Sequence, residues 1–532
     1  MGNSRTAFEP SRNIAVYVGI AAAYAVSAWA IGRAVGSFTP DPDYAYLLSG
    51  LDMLSLKAPV FVDHPGTPVQ TIIAIVLGLT WIVSFPWHGF SSVQDQVLLH
   101  PEFYMECVNG VFATGNAAAM VFFAWSMRKS SGMLAPALVG LISIFQSDVI
   151  YMTYHRTMPE SVLLAATLVL AGFIAQSAYA SDDAPQTRRL TIIVGVLLGF
   201  CLTAKVTSTP LLLTIFFLRS WEDRKAALRT CGIAAIIFLL PIFPRWPAMI
   251  WNYLHILTHR GDYGSGEAGT PAISDLLANL RVLQETVPEI FTSLALCTAV
   301  PAGQRLTSLP PSSRNLMRAL LVCTSMFCAA LLMVAKQPHP YYLLPEMAFV
   351  CLSNAIVVSL LFGSTKIPMW LRMSSIALLL AFLAAQAIRY ESRFTQADST
   401  EASAQRYAVT RAAQRGCQTV FYYGANQTEF NLFFGNVTSG RIFGDRLARL
   451  YPDFIAYNTG SKLFETFNTT LPQKAAFERF SHLRCVDFLG GKWDSDFGIP
   501  ASSFKYIAND AGAHLYAFTP PGAEPRIQSL QK

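Results

Sequence analysis

Directly behind the first membrane-length apolar stretch the chain reads Asp41-Pro42-Asp43-Tyr44, and a little further on Asp63-His64-Pro65-Gly66-Thr67-Pro68. In a chain that otherwise avoids charge, acidic groups kept in a proline-stiffened loop at a membrane surface point to chemistry carried out there. More ionisable residues recur where later apolar segments end. They are His155-Arg156 with Glu160, Lys205 ahead of Thr209-Pro210, Arg245, His259-Arg260, and Lys336 ahead of His339-Pro340-Tyr341-Tyr342. Each has a bland reading as well. Asp favours caps and turns, a lysine at a helix end snorkels to the interface, Arg245-Trp246 suits an aromatic belt, and Arg156 and Glu160 can pair to anchor a helix end.

The background to these residues is a membrane protein. Of 532 residues 53% are hydrophobic and 14% charged, and the mean hydropathy is +0.38, values a soluble domain of this size does not show. Apolar segments begin near Ile14, Val69, Cys107, Met133, Ser161, Leu190, Gly232, Pro288, Leu316, Tyr341 and Pro368, and they stop after Arg389. The expected fold is a polytopic α-helical membrane protein with about 11–13 transmembrane helices. The net charge of +6 is spread along the chain, which argues against nucleic-acid binding.

Lys and Arg fall between the apolar segments, at Arg128-Lys129, Arg188-Arg189, Arg224-Lys225 and onward. If short basic loops face the cytoplasm, the amino terminus is inside, the carboxyl-terminal tail is outside, and the chain crosses an even number of times between basic loops. Two consequences follow. Either 69–85 or 107–127 does not cross, and the run from Leu190 to Arg219 is a short helical hairpin with Lys205 at its outer turn. The same parity gathers the polar residues named above on the outer face, in loops 36–105 and 245–286 and in the shorter turns.

Residues 1–388 thus form a transmembrane domain, and 389–532 read as a soluble extracytoplasmic α/β domain. Thr419–Tyr423 and Phe454–Tyr457 have strand composition and 404–414 a helical pattern, with Gly and Asn at the turns. Cys417 and Cys485 are its only cysteines, and outside the cytoplasm such a pair suggests a disulfide. The other seven read as packing residues, since no metal-ligand spacing occurs among them.

An acidic pair after the first helix, with Tyr44 and Tyr46 behind it and a Pro-rich turn before the next helices, resembles the first outer loop of the GT-C glycosyltransferases. That superfamily includes protein O-mannosyltransferases and lipid A aminoarabinose transferases. Gly199 to Lys205 resembles its Gly-rich helix ending in a lysine near the lipid phosphate, and His339 to Pro345 its late aromatic-Leu-Pro helix start. The resemblance implies transfer of one sugar, a hexose or a pentose, from a polyprenyl-phosphate donor to a lipid, glycan or protein acceptor on the outer face of the membrane. Asp43 or Asp41 would be the general base. Lys205, Arg156, His339, Tyr341 and Arg245 would hold the lipid phosphate, and His64, His155, Glu160, Tyr44, His259 and Arg260 the substrates. No cofactor is expected, although an acidic pair with Glu160 could hold a divalent metal. The setting this implies is a bacterial inner membrane with the tail in the periplasm.

The long loop from Arg245 to Glu285, with glycines at 261, 264 and 266, reads as a lid over the donor groove. A competing class is a secondary transporter of a polar or anionic solute, which also carries many helices and buried charge. Acids in outer loops rather than at the midplane, and the large tail, weigh against it.

Overall fold

In the computed structural model the described residues are 10–35, 38–62, 66–145, 147–154, 156–180, 188–217, 224–260, 266–269, 271–304, 314–363, 427–458 and 461–472, with the strand segments 418–422, 486–489, 504–510 and 513–518 and single positions at 369–381 and 475. The chain divides into two compact units. One contains 1–31, 62–71 and 108–392; the other contains 32–61, 72–107 and 393–532.

The first unit is helical. It holds most of α1 (Pro10–Val35) and the later part of α5 (Pro101–Ser131), followed by α6 (Ala135–Phe145), α7 (Asp148–Tyr154), α8 (Pro159–Ala178), α9 (Arg188–Ala204), α10 (Arg224–Ile242), α11 (Trp246–Thr258), α12 (Ile273–Thr286), α13 (Pro288–Gln304), α14 (Arg314–Val334) and α15 (Leu344–Gly363). Several begin on proline, whose missing N–H is no loss in a first turn. Among the described residues five helical segments, 101–131, 159–178, 225–242, 314–334 and 340–362, are long and apolar enough to cross a membrane. The apolar helical segments 14–30, 67–83, 135–145 and 206–217 are shorter. With the composition, these are the features of an integral membrane protein. Large apolar side chains exposed on α1, α10 and α14, among them Trp29, Leu240 and Leu321, are what a lipid-facing surface presents. Of the two stretches competing not to cross, 67–83 is the short helix and 101–131 the long one.

Helices approach closely where glycine permits. A Cβ on Gly199 of α9 would lie 2.7 Å from the carbonyl oxygen of Ala234 in α10, and Thr203 Oγ1 donates to Ile237 O at 3.0 Å across the same contact. The buried Asn354 of α15 donates to Ser143 of α6 at 3.0 Å and accepts from Ser293 of α13 at 3.2 Å, tying three helices through one side chain.

The run expected to form a short hairpin around Lys205 is interrupted there. Helix α9 ends at Ala204, and after Lys205 the chain continues as a 3-10 helix, Val206–Phe217, with Pro210 inside it. Proline lacks the N–H an α-helix needs there. In the loop read as a lid, α11 and α12 occupy most of 245–286. Between them Arg260 N donates to Glu267 O at 2.9 Å and Gly266 N to Arg260 O at 2.8 Å. Its apolar residues are spaced for helices, and that periodicity outweighs the glycines. Residues 261–265 lie outside the described residues.

The second unit joins the segment behind α1 to the tail. It holds α2 (Ala45–Leu54), most of α3 (Thr67–Val83), α4 (Val93–Leu99), α16 (Thr428–Thr438), α17 (Gly444–Leu450) and strands β1 (Gln418–Tyr422), β2 (Ile455–Asn458), β3 (Leu463–Glu465), β4 (Thr470–Leu471), β5 (Val486–Leu489), β6 (Phe504–Asp510) and β7 (Ala513–Phe518). The larger sheet has the order β4-β3-β2-β1-β5, with β1 parallel to β2 and β5 and the β2-β3-β4 run antiparallel; β6 and β7 pair separately. Parallel neighbours need a crossover, and α16 and α17 provide it between β1 and β2. Both expected strands form within a residue of their expected bounds. Phe430 and Phe433 of α16 pack on Phe421, Phe454 and Phe467, with Phe454 and Phe467 centroids 4.4 Å apart. Cys417, Cys485 and the segment 404–414 lie outside the described residues.

Candidate active site

The acidic turn belongs to the second unit. Asp41 has an extended backbone (φ −123°, ψ 124°) inside the short Pro40–Tyr44 turn that leads into α2, and its side chain is exposed. Asp43 is fully buried. Its Oδ2 accepts the Thr39 N–H at 2.8 Å and the Thr39 hydroxyl at 3.1 Å. Two residues apart, the aspartates differ in kind: Asp43 anchors the turn and Asp41 is presented.

Tail residues hold this turn from the other side. Asn431 Nδ2 donates to Phe38 O at 3.0 Å, and Gly435 lies against the backbone of Tyr44. Thr428 Oγ1 donates to Glu102 Oε1 at 2.8 Å. Tyr44 is fully buried; burial first, then the nearby Glu102 carboxylate, pushes its hydroxyl well above the usual phenol range. Further along, Arg446 Nη1 reaches Ser92 Oγ at 2.7 Å and Asp95 Oδ1 at 2.8 Å. Tyr451 donates to Leu98 O at 2.8 Å, and burial, reinforced by Glu429 and Glu102, pushes its hydroxyl up to about 12.

The cationic residues are in the first unit, and there the structure brings several sequence candidates together. Lys205, only 2% exposed, forms an ion pair with the fully buried Glu160. Its Nζ lies 4.8 Å from the ring centroid of Tyr341 and 4.5 Å from that of Tyr342, within cation–π range. His339 stacks on Tyr341 at 5.3 Å and meets Tyr342 edge-on at 5.4 Å. His339 and Tyr341 are half-buried. The chain folds this way locally because Pro340 starts a single 3-10 turn through Leu343 that feeds α15, so the three rings project from one tight segment.

Two further strands of chain reach this place. Gly66, which follows His64 and Pro65, donates its N–H to Ala204 O at 3.2 Å, one residue before Lys205. Arg156 is half-buried, and its carbonyl accepts Ser161 Oγ at 2.6 Å beside Glu160. Arg245, His259 and Arg260 occupy the two ends of α11. His259 stacks on His255 at 3.8 Å and shares a hydrogen bond with Thr258 Oγ1 at 3.0 Å. His64 and His155 lie outside the described residues. Among the described residues no three His, Cys, Asp or Glu side chains form a group suited to a metal ion.

Sequence reasoning missed three participants: Glu160 as the partner of Lys205, Tyr342 as its second ring, and Thr39 as the anchor of Asp43. A signal for the first existed. Glu160 stands in the first turn of α8 and Lys205 directly behind the end of α9, the positions at which helix dipoles favour an anion and a cation.

The described residues thus comprise a helical membrane part, an acidic segment behind the first helix, a lysine at a broken helix, an aromatic-Leu-Pro helix start and a small α/β tail. The chain shares its fold with two crystal structures of ArnT from Cupriavidus metallidurans, one bound to undecaprenyl phosphate (TM-score 0.51) and one in the apo state (TM-score 0.52). In both cases identity is 12%, and 96% of this chain and 99% of the other are covered. At this identity the likeness establishes the fold. No protein-family profile matches the sequence, nor does any curated protein at a significant level.

Proposed function

We propose that the protein is an integral membrane glycosyltransferase that moves a single sugar from a polyprenyl-phosphate donor to an acceptor hydroxyl on the outer face of a bacterial inner membrane. The observation that carries this reading is the end-to-end likeness to ArnT, which has been crystallised bound to undecaprenyl phosphate, in a chain that keeps an exposed aspartate behind its first helix and a lysine behind α9. The amino terminus lies in the cytoplasm and the tail domain in the periplasm, following the basic loops.

In the reaction the acceptor oxygen bonds to the anomeric carbon as the bond from that carbon to the phosphate oxygen breaks. The electron pair leaves with the phosphate, and the hydroxyl proton passes to a carboxylate. Asp41 is the base: it is exposed, whereas Asp43 spends its Oδ2 on Thr39. The departing phosphate gains a negative charge, which Lys205 and Arg156 offset, Lys as a point charge and Arg by its planar fork. His339 and Tyr341 line the approach to that lysine. The acceptor is a lipid, a glycan or a protein, and the chemistry calls for no cofactor.

The test is incubation of the purified protein with a panel of polyprenyl-phosphate hexoses and pentoses, with release of polyprenyl phosphate as the readout. Release from one member, lost in Asp41→Asn, supports the reading. A protein inert to the whole panel that carries a labelled polar solute across proteoliposomes is a transporter instead.

A further inference from the structure

We propose that Glu160 is the resident counter-ion of Lys205 and that a lipid phosphate takes its place on the ammonium instead of binding alongside it. This rests on the glycosyltransferase reading and deepens it: Glu160 sets how tightly the phosphate is held and does not itself contact the sugar or acceptor.

The geometry supports an exchangeable pair. Glu160 sits in the first turn of α8, Lys205 directly behind α9, so each charge is favoured where it stands by its own helix. Both are withdrawn from water, and a buried charge left without an opposite one is strongly unfavourable. Glu160 contributes one oxygen to Lys205, while its Oε2 is buried with no hydrogen-bond partner among the described residues. A carboxylate held through one oxygen is a modest competitor for a phosphate, which offers more oxygens and, once freed of its sugar, more negative charge.

The rings over Lys205 come from a single 3-10 turn in which Tyr341 and its neighbour His339 are half-buried; an anion arriving past them would meet the ammonium by displacing Glu160. The consequence is kinetic as well as energetic. After transfer the product phosphate carries more charge than the donor diester and would hold Lys205 too firmly to leave. A carboxylate waiting to reclaim the lysine speeds its exit.

The experiment measures undecaprenyl phosphate binding to the full-length protein in nanodiscs, with thermal melting of each variant recorded in parallel. Glu160→Gln removes the competing charge and is expected to bind about tenfold tighter than wild type; Lys205→Met is expected to bind about tenfold weaker, each factor corresponding to about 1.4 kcal/mol. In the Lys205→Met background, Glu160→Gln changes nothing further. Glu160→Asp keeps the charge but shortens the reach, and is expected to bind more tightly than wild type by a smaller factor; it serves if Glu160→Gln does not fold. Folded Glu160 variants with unchanged or weakened binding overturn the proposal, and so does Lys205→Met binding as wild type does, while the glycosyltransferase reading survives both. Wild type that binds no undecaprenyl phosphate at all sinks the two together.

Discussion

Gly435 of the tail lies so close to Tyr44, in the turn behind the first helix, that a Cβ on it would stand 2.7 Å from the Tyr44 carbonyl oxygen. The neighbour is backbone and cannot swing aside. Gly435→Ala is therefore expected to cost about 1–3 kcal/mol of stability and to move the turn bearing Asp41 and Asp43. A lowered melting temperature together with reduced transfer at saturating donor is the expected result.

The two aspartates separate by role. Asp41→Asn is expected to lower turnover by a factor of about 10²–10⁴, the usual contribution of a general base, with the melting temperature unchanged. Asp43→Ala removes the acceptor of two Thr39 hydrogen bonds and is expected to cost about 1–3 kcal/mol. Parallel assays of melting and single-turnover transfer distinguish a chemical loss from a structural one.

Breaking the Lys205–Glu160 pair from one side leaves a buried charge alone. Lys205→Met by itself is expected to cost about 3–5 kcal/mol. The double variant Lys205→Met/Glu160→Gln leaves no net charge and is expected to be more stable than Lys205→Met, so the two effects are far from additive. Melting curves of the four proteins in one detergent give the coupling.

Alkaline pH tests the packing of the tail. The Tyr451 hydroxyl is pushed from about 10 up to about 12 by burial, so its neutral form is favoured in the folded state. The stability this contributes is fully present below pH 10 and is lost as pH rises from 10 through 12. Tyr451→Phe cannot ionise, and its stability is expected to fall less steeply over that window, as followed by melting temperature against pH.

The sequence revealed contacts and breaks that are local along the chain. Pro288 marks a helix start, Lys205 ahead of Pro210 marks the end of α9, and β-rich runs bounded by polar turns mark β1 and β2. Long-range pairings were beyond it. Glu160 and Lys205 are 45 positions apart, and Asn431 finds the carbonyl of Phe38 across 393; such partners are chosen by packing, on which local periodicity carries no information. On either side of the glycines at 261, 264 and 266 the apolar spacing carries α11 and α12.

The role of the tail shows the same limit. Composition after Arg389 reads as a separate soluble piece, yet Asn431, Gly435, Arg446 and Tyr451 all bond to or pack on residues of 32–61 and 72–107. No motif announces this. It follows from α16 having a small residue, Gly435, on the face that meets the Tyr44 backbone.

The central claim, a sugar leaving a polyprenyl phosphate under general-base assistance, is tested most directly by single-turnover transfer from a radiolabelled polyprenyl-phosphate sugar. Donor binding is measured on the same preparations of wild type and Asp41→Asn. The expected result is equal donor binding by both proteins, with label passing to the acceptor and polyprenyl phosphate appearing only in wild type. Equal transfer by Asp41→Asn would contradict the assigned base, and a wild-type protein that binds no donor would contradict the glycosyltransferase assignment itself.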